Sequence, residues 1–391
     1  MSSKSISTDV VVASSTMVVA SPTADQTLVT STPTATVPTA TLVQTETPNT
    51  PTTPAPSSTP TPETPVFEVI TAGNFGSLEL VSQNNVDFDI EFGQFYELVF
   101  KPDTVWYIHP APEGNQVTDL LTQKDIISLE EQGDSGFLII SSDNSLMATV
   151  NPDVHEINLW DMKSLQKIRT FVYPASSYRE LQGAFSRDNA YLAVAGCHVK
   201  GNPYCLSSGV YVYNVITGET ILELIGYHDA VGGLAFSLDK QLLFISGDGE
   251  KIRNADLLVW DLEKNERHFE FSLGENDLFI NLALDDNGSV LASVSRNGNV
   301  HIWDVSTWKK VGEIPANISR NITFLPETDL FLATEVRDTL KLGRGNSILK
   351  TKKVGSGRIG KLWISPDGRF LFIVFHTGRT SGSLQKWGVV Q

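Results

Sequence analysis

Seven times along this chain an apolar residue gives way to a polar tight turn, and the recurrence constrains the fold more than any other feature. The markers are Phe100-Lys101-Pro102-Asp103, Ile140-Ser141-Ser142-Asp143, Phe185-Ser186-Arg187-Asp188, Phe236-Ser237-Leu238-Asp239, Leu284-Asp285-Asp286-Asn287, Phe324-Leu325-Pro326-Glu327 and Ile364-Ser365-Pro366-Asp367. Their leading residues stand 40, 45, 51, 48, 40 and 40 positions apart. Between them run short β-branched and aromatic stretches broken by Gly, Asn and Asp, which is the punctuation of strands and hairpins. The clearest unit reads as four strands, 280–284, 290–295, 300–305 and 310–314, with Asp285-Asp286-Asn287-Gly288 and Arg296-Asn297-Gly298-Asn299 as tight turns. One such sheet buries too little apolar surface to stand alone, so each unit needs neighbours.

A recurrence of about 40 to 45 residues is the spacing of propeller blades and does not suit helical solenoids, given the density of turns. The expected fold class is therefore all-β: a seven-bladed β-propeller over residues 66–391, one domain, preceded by a disordered segment, 1–65. A second marker supports the count. Trp160-Asp161, Trp260-Asp261 and Trp303-Asp304 follow their first markers by 20, 24 and 19 residues, with Tyr213-Asn214 and Trp387-Gly388 as variants at 28 and 23. These Trp-Asp pairs closing third strands resemble the WD-repeat family, whose sheets stand as blades around a central channel. Blades one and six lack the aromatic, with Leu120 and Leu342 at the corresponding places. The family's Gly-His signature survives only loosely, as Gly226-Tyr227-His228, so its side-chain network is not expected in every blade. Ring closure, as the resemblance implies it, comes from both chain ends: 384–390 is a last strand with nothing after it, and 76–82 is a spare strand to pair beside it.

Residues 1–65 hold no aromatic and one basic residue among dense Thr, Pro and Ser. Such a stretch cannot offset the entropy of ordering itself, and its prolines keep it extended, as in a stalk or linker. Val10-Val11-Val12-Ala13 and Val18-Val19-Ala20, with Lys4 ahead of them, make at most a weak export signal, and no run reaches the 18 apolar residues of a membrane span. The formal net charge of -16 repels nucleic-acid backbones and anionic membranes.

Cys197 and Cys205 are the only cysteines. They flank a hairpin loop and can bridge in an oxidising compartment, for about 2 to 3 kcal/mol of loop-entropy stabilisation. The Thr/Pro stretch, which resembles cell-surface spacers, favours the cell envelope or an extracellular location, where this pair would bridge, with the cytoplasm as the alternative. His109, His155, His198 and His376 fall after second strands of adjacent blades, a weak candidate metal set against the plainer reading of solvated loop residues. Acidic turns such as Asp285-Asp286-Asn287-Gly288 are turn chemistry, since they lack calcium-loop spacing. No nucleophile elbow, phosphate loop or His-Glu-x-x-His run occurs, so no cofactor is expected.

The resemblance implies a non-catalytic scaffold that presents propeller loops to a protein or peptide, as a monomer. The alternatives are a propeller enzyme with a channel-mouth active site and a cell-surface adhesin or spacer. In the family the residues leading into first strands surround the channel mouth. Carried onto this chain those are Tyr96, Arg179, Phe279, Arg320 and Arg358, aromatic and Arg types that dominate binding hot spots. Three arginines on an acidic protein favour an acidic peptide or carboxylate.

Overall fold

The computed structural model describes residues 65–391 apart from 88–95, 112–113, 130–137, 152–154, 175–180, 201–204, 228–230, 248–255, 274–276, 336, 356 and 377–380. The Thr/Pro-rich stretch 1–64 thus lies outside the described residues, as do Arg179, Tyr204, His228 and Asp248-Gly249-Glu250.

Seven antiparallel sheets follow one another in chain order. Blade one comprises Glu97–Phe100, Val105–Ala111, Gly114–Asp119 and Lys124–Leu129; blade two Leu138–Ile140, Leu146–Asn151, Glu156–Asp161 and Gln166–Val172. Blade three comprises Gln182–Phe185, Tyr191–Lys200, Cys205–Asn214 and Thr220–Tyr227; blade four Val231–Phe236, Leu242–Gly247, Leu257–Asp261 and Glu266–Phe271. Blade five comprises Phe279–Leu284, Val290–Ser295, Asn299–Asp304 and Lys309–Pro315; blade six Ile318–Phe324, Leu330–Glu335, Thr339–Arg344 and Ser347–Lys353. Blade seven has only three strands of its own, Arg358–Ile364, Phe370–His376 and Ser381–Val390. Glu79–Asp87 pairs along Ser381–Gly388, and Phe67–Glu68 pairs with Val389–Val390. The closing strand therefore starts three residues later than the expected 76, because Phe75–Ser77 is a single 3-10 turn.

First strands of successive blades touch from blade one to blade six, so they line the axis. Asn321 of blade six donates to the Gly360 carbonyl of blade seven at 3.2 Å, and Lys361 of blade seven pairs with Glu97 of blade one, which closes the ring. Antiparallel order puts the first-to-second and third-to-fourth turns on one face, and the second-to-third turns and inter-blade connections on the other.

Local sequence explains the first face. Each marker ends a first strand, and the Ser that follows ties the turn: Ser141 Oγ donates to Asp143 at 2.7 Å and accepts from the Leu146 amide at 2.9 Å. Ser186, Ser237 and Ser365 repeat this with Asp188, Asp239 and Asp367. Blade five uses Asp285 instead, accepting from the Ser289 and Val290 amides at 2.7 Å, the turn role read from the sequence. The next position needs a left-handed backbone, at Asn144, Asn189, Lys240 and Gly288 among others. There the side chain reaches the preceding blade: Asn144 Oδ1 accepts from the Phe100 amide, Asn189 donates to Asp143, and Lys240 pairs with Asp188. Where an Asp ends the third strand, in blades one, two, four and five, it caps the following turn, as Asp161 does for the Ser164 amide at 2.7 Å and Asp304 for Thr307 at 2.8 Å.

Pairing register corrects the places of Leu120 and Leu342. The aromatic of the Trp-Asp pair stands opposite the second residue of the second strand, Trp160 against Met147 and Trp303 against Leu291. In blade six that position is Gly343, opposite Phe331, and in blade one, whose second strand begins one residue earlier, it is Thr118, just ahead of the turn-capping Asp119 and opposite Tyr107. A Cβ on Gly343 would lie 2.1 Å from the Phe331 ring, so the Phe of strand two fills the space that the indole fills elsewhere.

Candidate functional site

At the channel mouth the seam between blades seven and one gathers groups from both. Tyr96, just ahead of its first strand, is 3% exposed, with its hydroxyl 3.4 Å from His376 Nε2 and its ring against Tyr107 and Trp363. Burial, then the neighbouring Tyr107 and Glu97, push its phenol far above the ordinary value. His376 is held below its ordinary value by burial and then by Arg358, which faces it in register. A Cβ at Gly360 would meet His376 Nε2 at 2.1 Å, so only glycine lets the imidazole sit there. Next to them Glu97 accepts from Lys361 and from Trp363 Nε1 at 2.9 Å, while Lys361 also donates to the Tyr96 carbonyl.

Of the five residues read as mouth contacts, Arg358 is exposed at the start of its strand. Arg320 lies inside the strand Ile318–Phe324 at an interruption of its pairing with blade six's second strand. Tyr96 and Phe279 are buried, which the sequence alone did not show. Phe279 is 0% exposed and packs its ring on His301 at 5.1 Å and Trp303 at 6.1 Å. An aromatic that leads into an inner strand points into the seam between blades, where apolar area is removed from water. Arg179 is outside the described residues.

The four histidines have different immediate surroundings. His109 stacks on Tyr107 at 4.9 Å with Nε2 3.4 Å from Thr118 Oγ1. His155 occupies a left-handed turn position, and His198 Nδ1 lies 2.6 Å from the Tyr211 hydroxyl. His109, His198 and His376 fall within second strands, not after them. Among the described residues no three His, Cys, Asp or Glu side chains are placed to share a metal ion. Cys197 and Cys205 are bridged, with Cα atoms 5.7 Å apart, near the tip of the long hairpin of blade three.

Sequence reasoning missed Glu97, Lys361 and Trp363. The available signal was alternation: Lys361 and Trp363 share one face of a strand, and Glu97 leads into a marker.

The family model for the WD domain, G-beta repeat, matches residues 274–304, the first three strands of blade five. The chain is a seven-bladed propeller carrying a WD repeat. In that repeat Trp303 is 1% exposed and its Nε1 donates to Ser293 Oγ at 2.9 Å, and in blade two Trp160 does the same to Thr149 Oγ1 at 3.0 Å. Curated relatives agree over part of the propeller. WD repeat and SOCS box-containing protein 1 of Xenopus tropicalis is 28% identical over 104 residues, 26% of this chain and 24% of that protein. Its human counterpart is 25% identical over 99 residues, 25% of this chain and 23% of that one. The chain thus spans about a quarter of the length of the curated relatives it matches. Among solved structures, a chain of the crystal structure of mitotic checkpoint complex superposes with a TM-score of 0.60 at 16% identity, over 86% of this chain and 97% of that one, a likeness of fold.

Proposed function

We propose that this propeller is a non-catalytic scaffold whose channel-mouth face engages a protein or peptide bearing acidic groups. The observation that carries the reading is the division of labour at the mouth. Glu97, Lys361, Trp363 and Asn321 are occupied in tying blades together, while the Arg358 guanidinium stands exposed beside them. A pre-formed platform loses little entropy on binding, and an exposed arginine supplies a planar, permanently charged donor for carboxylates. The acidic chain around it disfavours nucleic acid as the partner. Arg179→Ala combined with Arg358→Ala should weaken a partner recovered with residues 66–391 by about 2 kcal/mol or more, with an unchanged melting midpoint. Equal affinity in the double variant would move the interaction to another face.

The Cys197–Cys205 bridge favours a second reading, a location in the cell envelope or outside the cell, where disulfides persist. Thiol counting on protein taken from its own compartment without reductant should find none free. Two free thiols would return the protein to the cytoplasm.

A further inference from the structure

In blades two to five the aromatic near the end of the third strand packs toward the preceding blade. Trp160 lies among Val99, Ile108 and Val117 of blade one, and Tyr213 stands 5.1 Å from Phe171 and bonds the Val172 carbonyl of blade two. Trp303 stands 4.7 Å from Phe271 of blade four. Blade one has Thr118 at this position, and its hydroxyl turns to Asp125 of its own blade at 2.8 Å. At that seam, facing blade seven, there is a cavity of about 180 Å³. Its apolar lining is Val105, Leu120 and Leu121 from blade one and Phe372 and Leu384 from blade seven. A cavity of about 150 Å³ with such a lining accommodates a benzene ring, so this one suits a ring or a chain of about six carbons.

Lys386 sits on its rim for a reason of register. Phe372, Lys386 and Ser82 are directly opposed across three strands, and Val374, Leu384 and Asn84 form the row two residues away. Opposed residues and those two apart project from one face of a sheet, here the face turned to blade one. The Lys386 ammonium lies 3.7 Å from the centre of the Phe370 ring and 5.9 Å from that of Phe372. Among the described residues no carboxylate pairs with it; Asp367, whose charge attracts it, is committed to Ser365 and the Arg369 amide. A partly desolvated ammonium over aromatic rings, unpaired, beside a mostly apolar cavity, is half of a charge-assisted pair.

We propose that the seam between blades seven and one is a binding site for a small carboxylate carried on an apolar body, with the carboxylate on Lys386 and the body between Leu120 and Phe372. Burial lowers the Lys386 ammonium from its ordinary value, and an incoming carboxylate restores it, so the ion pair forms where much of the dehydration has already occurred. Ser82 and Asn84, from the closing strand, offer further donors on the same rim. Asp103 lines the blade-one side and repels a carboxylate there, which leaves one favourable orientation. Both chain ends build the site, since Ser82 and Lys386 meet only when the ring closes. This site is separate from the channel mouth and does not depend on the scaffold reading.

The same chemistry occurs in short fatty acids and in the free C-terminus of a peptide ending in an apolar residue. Calorimetric titration of the full chain with hexanoate, hexylamine, N-acetylphenylalanine and N-acetylphenylalaninamide separates them. At least one carboxylate should bind tenfold or more tighter than its uncharged or cationic counterpart. A preference for hexanoate assigns the lipid source and one for N-acetylphenylalanine the peptide source. Lys386→Met should abolish the discrimination, Lys386→Arg should keep it, and Leu120→Trp, which fills the volume, should remove binding of all four with the fold retained by circular dichroism. Failure of both carboxylates to bind more tightly than their counterparts, or discrimination that survives in Lys386→Met, would overturn the proposal.

Discussion

Where blade four meets blade five, Trp303 is almost fully buried against Phe271, with its indole N–H satisfied by Ser293. Where blade seven meets blade one, the same pairing position holds Thr118, and the seam is joined instead by Lys361 and Trp363 on Glu97 near the axis. The first seam is held along its depth by apolar area. The second also buries an apolar cluster, with Leu98, Tyr107, Phe372, Val374 and Leu384, but adds charge-assisted hydrogen bonds at its inner end and keeps a cavity further out. A ring of blades needs every seam closed but does not need every seam closed by the same chemistry. The seam at which the ring closes is one that departs.

The largest test of this contrast removes the strand that completes blade seven. Deleting residues 66–87 should expose the edge of Ser381–Val390 along its pairing with Glu79–Asp87. The shortened protein should melt well below the parent and self-associate on size exclusion. If it melts at the parent midpoint as a monomer, strand closure is not what holds the ring.

Trp303→Ala should cost about 3 to 5 kcal/mol in denaturant unfolding, because a buried indole leaves a cavity and Ser293 loses its donor. Thr118→Ala should cost about 1 kcal/mol, the worth of its hydrogen bond to Asp125. Similar losses at both positions would erase the distinction between the two seams.

Blade six sharpens the comparison from another side, since there the indole is replaced by a ring from the neighbouring strand. Gly343→Ala should cost about 1 to 3 kcal/mol through overpacking on Phe331. Phe331→Leu should recover part of that loss in the double variant, giving a favourable coupling in the cycle. Additive losses would mean that Phe331 does not occupy the vacant indole site.

The smallest effect concerns acid. Burial opposes ionisation of Asp143, but hydrogen bonds from Ser141, Ser145 and Asn189 outweigh it and bring the carboxyl to about 2; Asp188, with Lys240 and Ser186, also lies at about 2. Folded values below the ordinary 3.8 mean that this stabilisation is complete above the ordinary value and disappears as pH falls through about 2. Both carboxyls are near the surface, so the contribution is modest. Melting midpoints measured from pH 4 to pH 2 should fall less steeply in Asp143→Asn with Asp188→Asn than in the parent. An unchanged slope would place the acid sensitivity elsewhere.

The inter-blade bonds of these turns also show how much could be read in advance. Ile140-Ser141-Ser142-Asp143 and its six counterparts were legible because each ends a first strand, and the Ser, Asp, Asn and Gly that follow act within a few residues of one another. The strands of blade five were legible for the same reason, to within a residue at each end. The places of Thr118 and Gly343 were not, because the turns between second and third strands differ in length and only pairing sets the register. Tyr96 and Phe279 could be located at the start of inner strands, but whether such a ring faces solvent or a seam depends on the neighbouring blade.

What the amino-acid sequence determined by itself was therefore the repeat: seven units, the tight turns, the capping acids and the Trp-Asp positions, all consequences of short-range sterics and hydrogen bonding. Tertiary structure alone decided which side chains meet across the seams. Glu97 and Lys361 are 264 residues apart in the chain, and Ser82 faces Lys386 only after the two ends pair. No local rule links such residues, because their proximity follows from the closing of the ring and from the volume that each seam has left to fill.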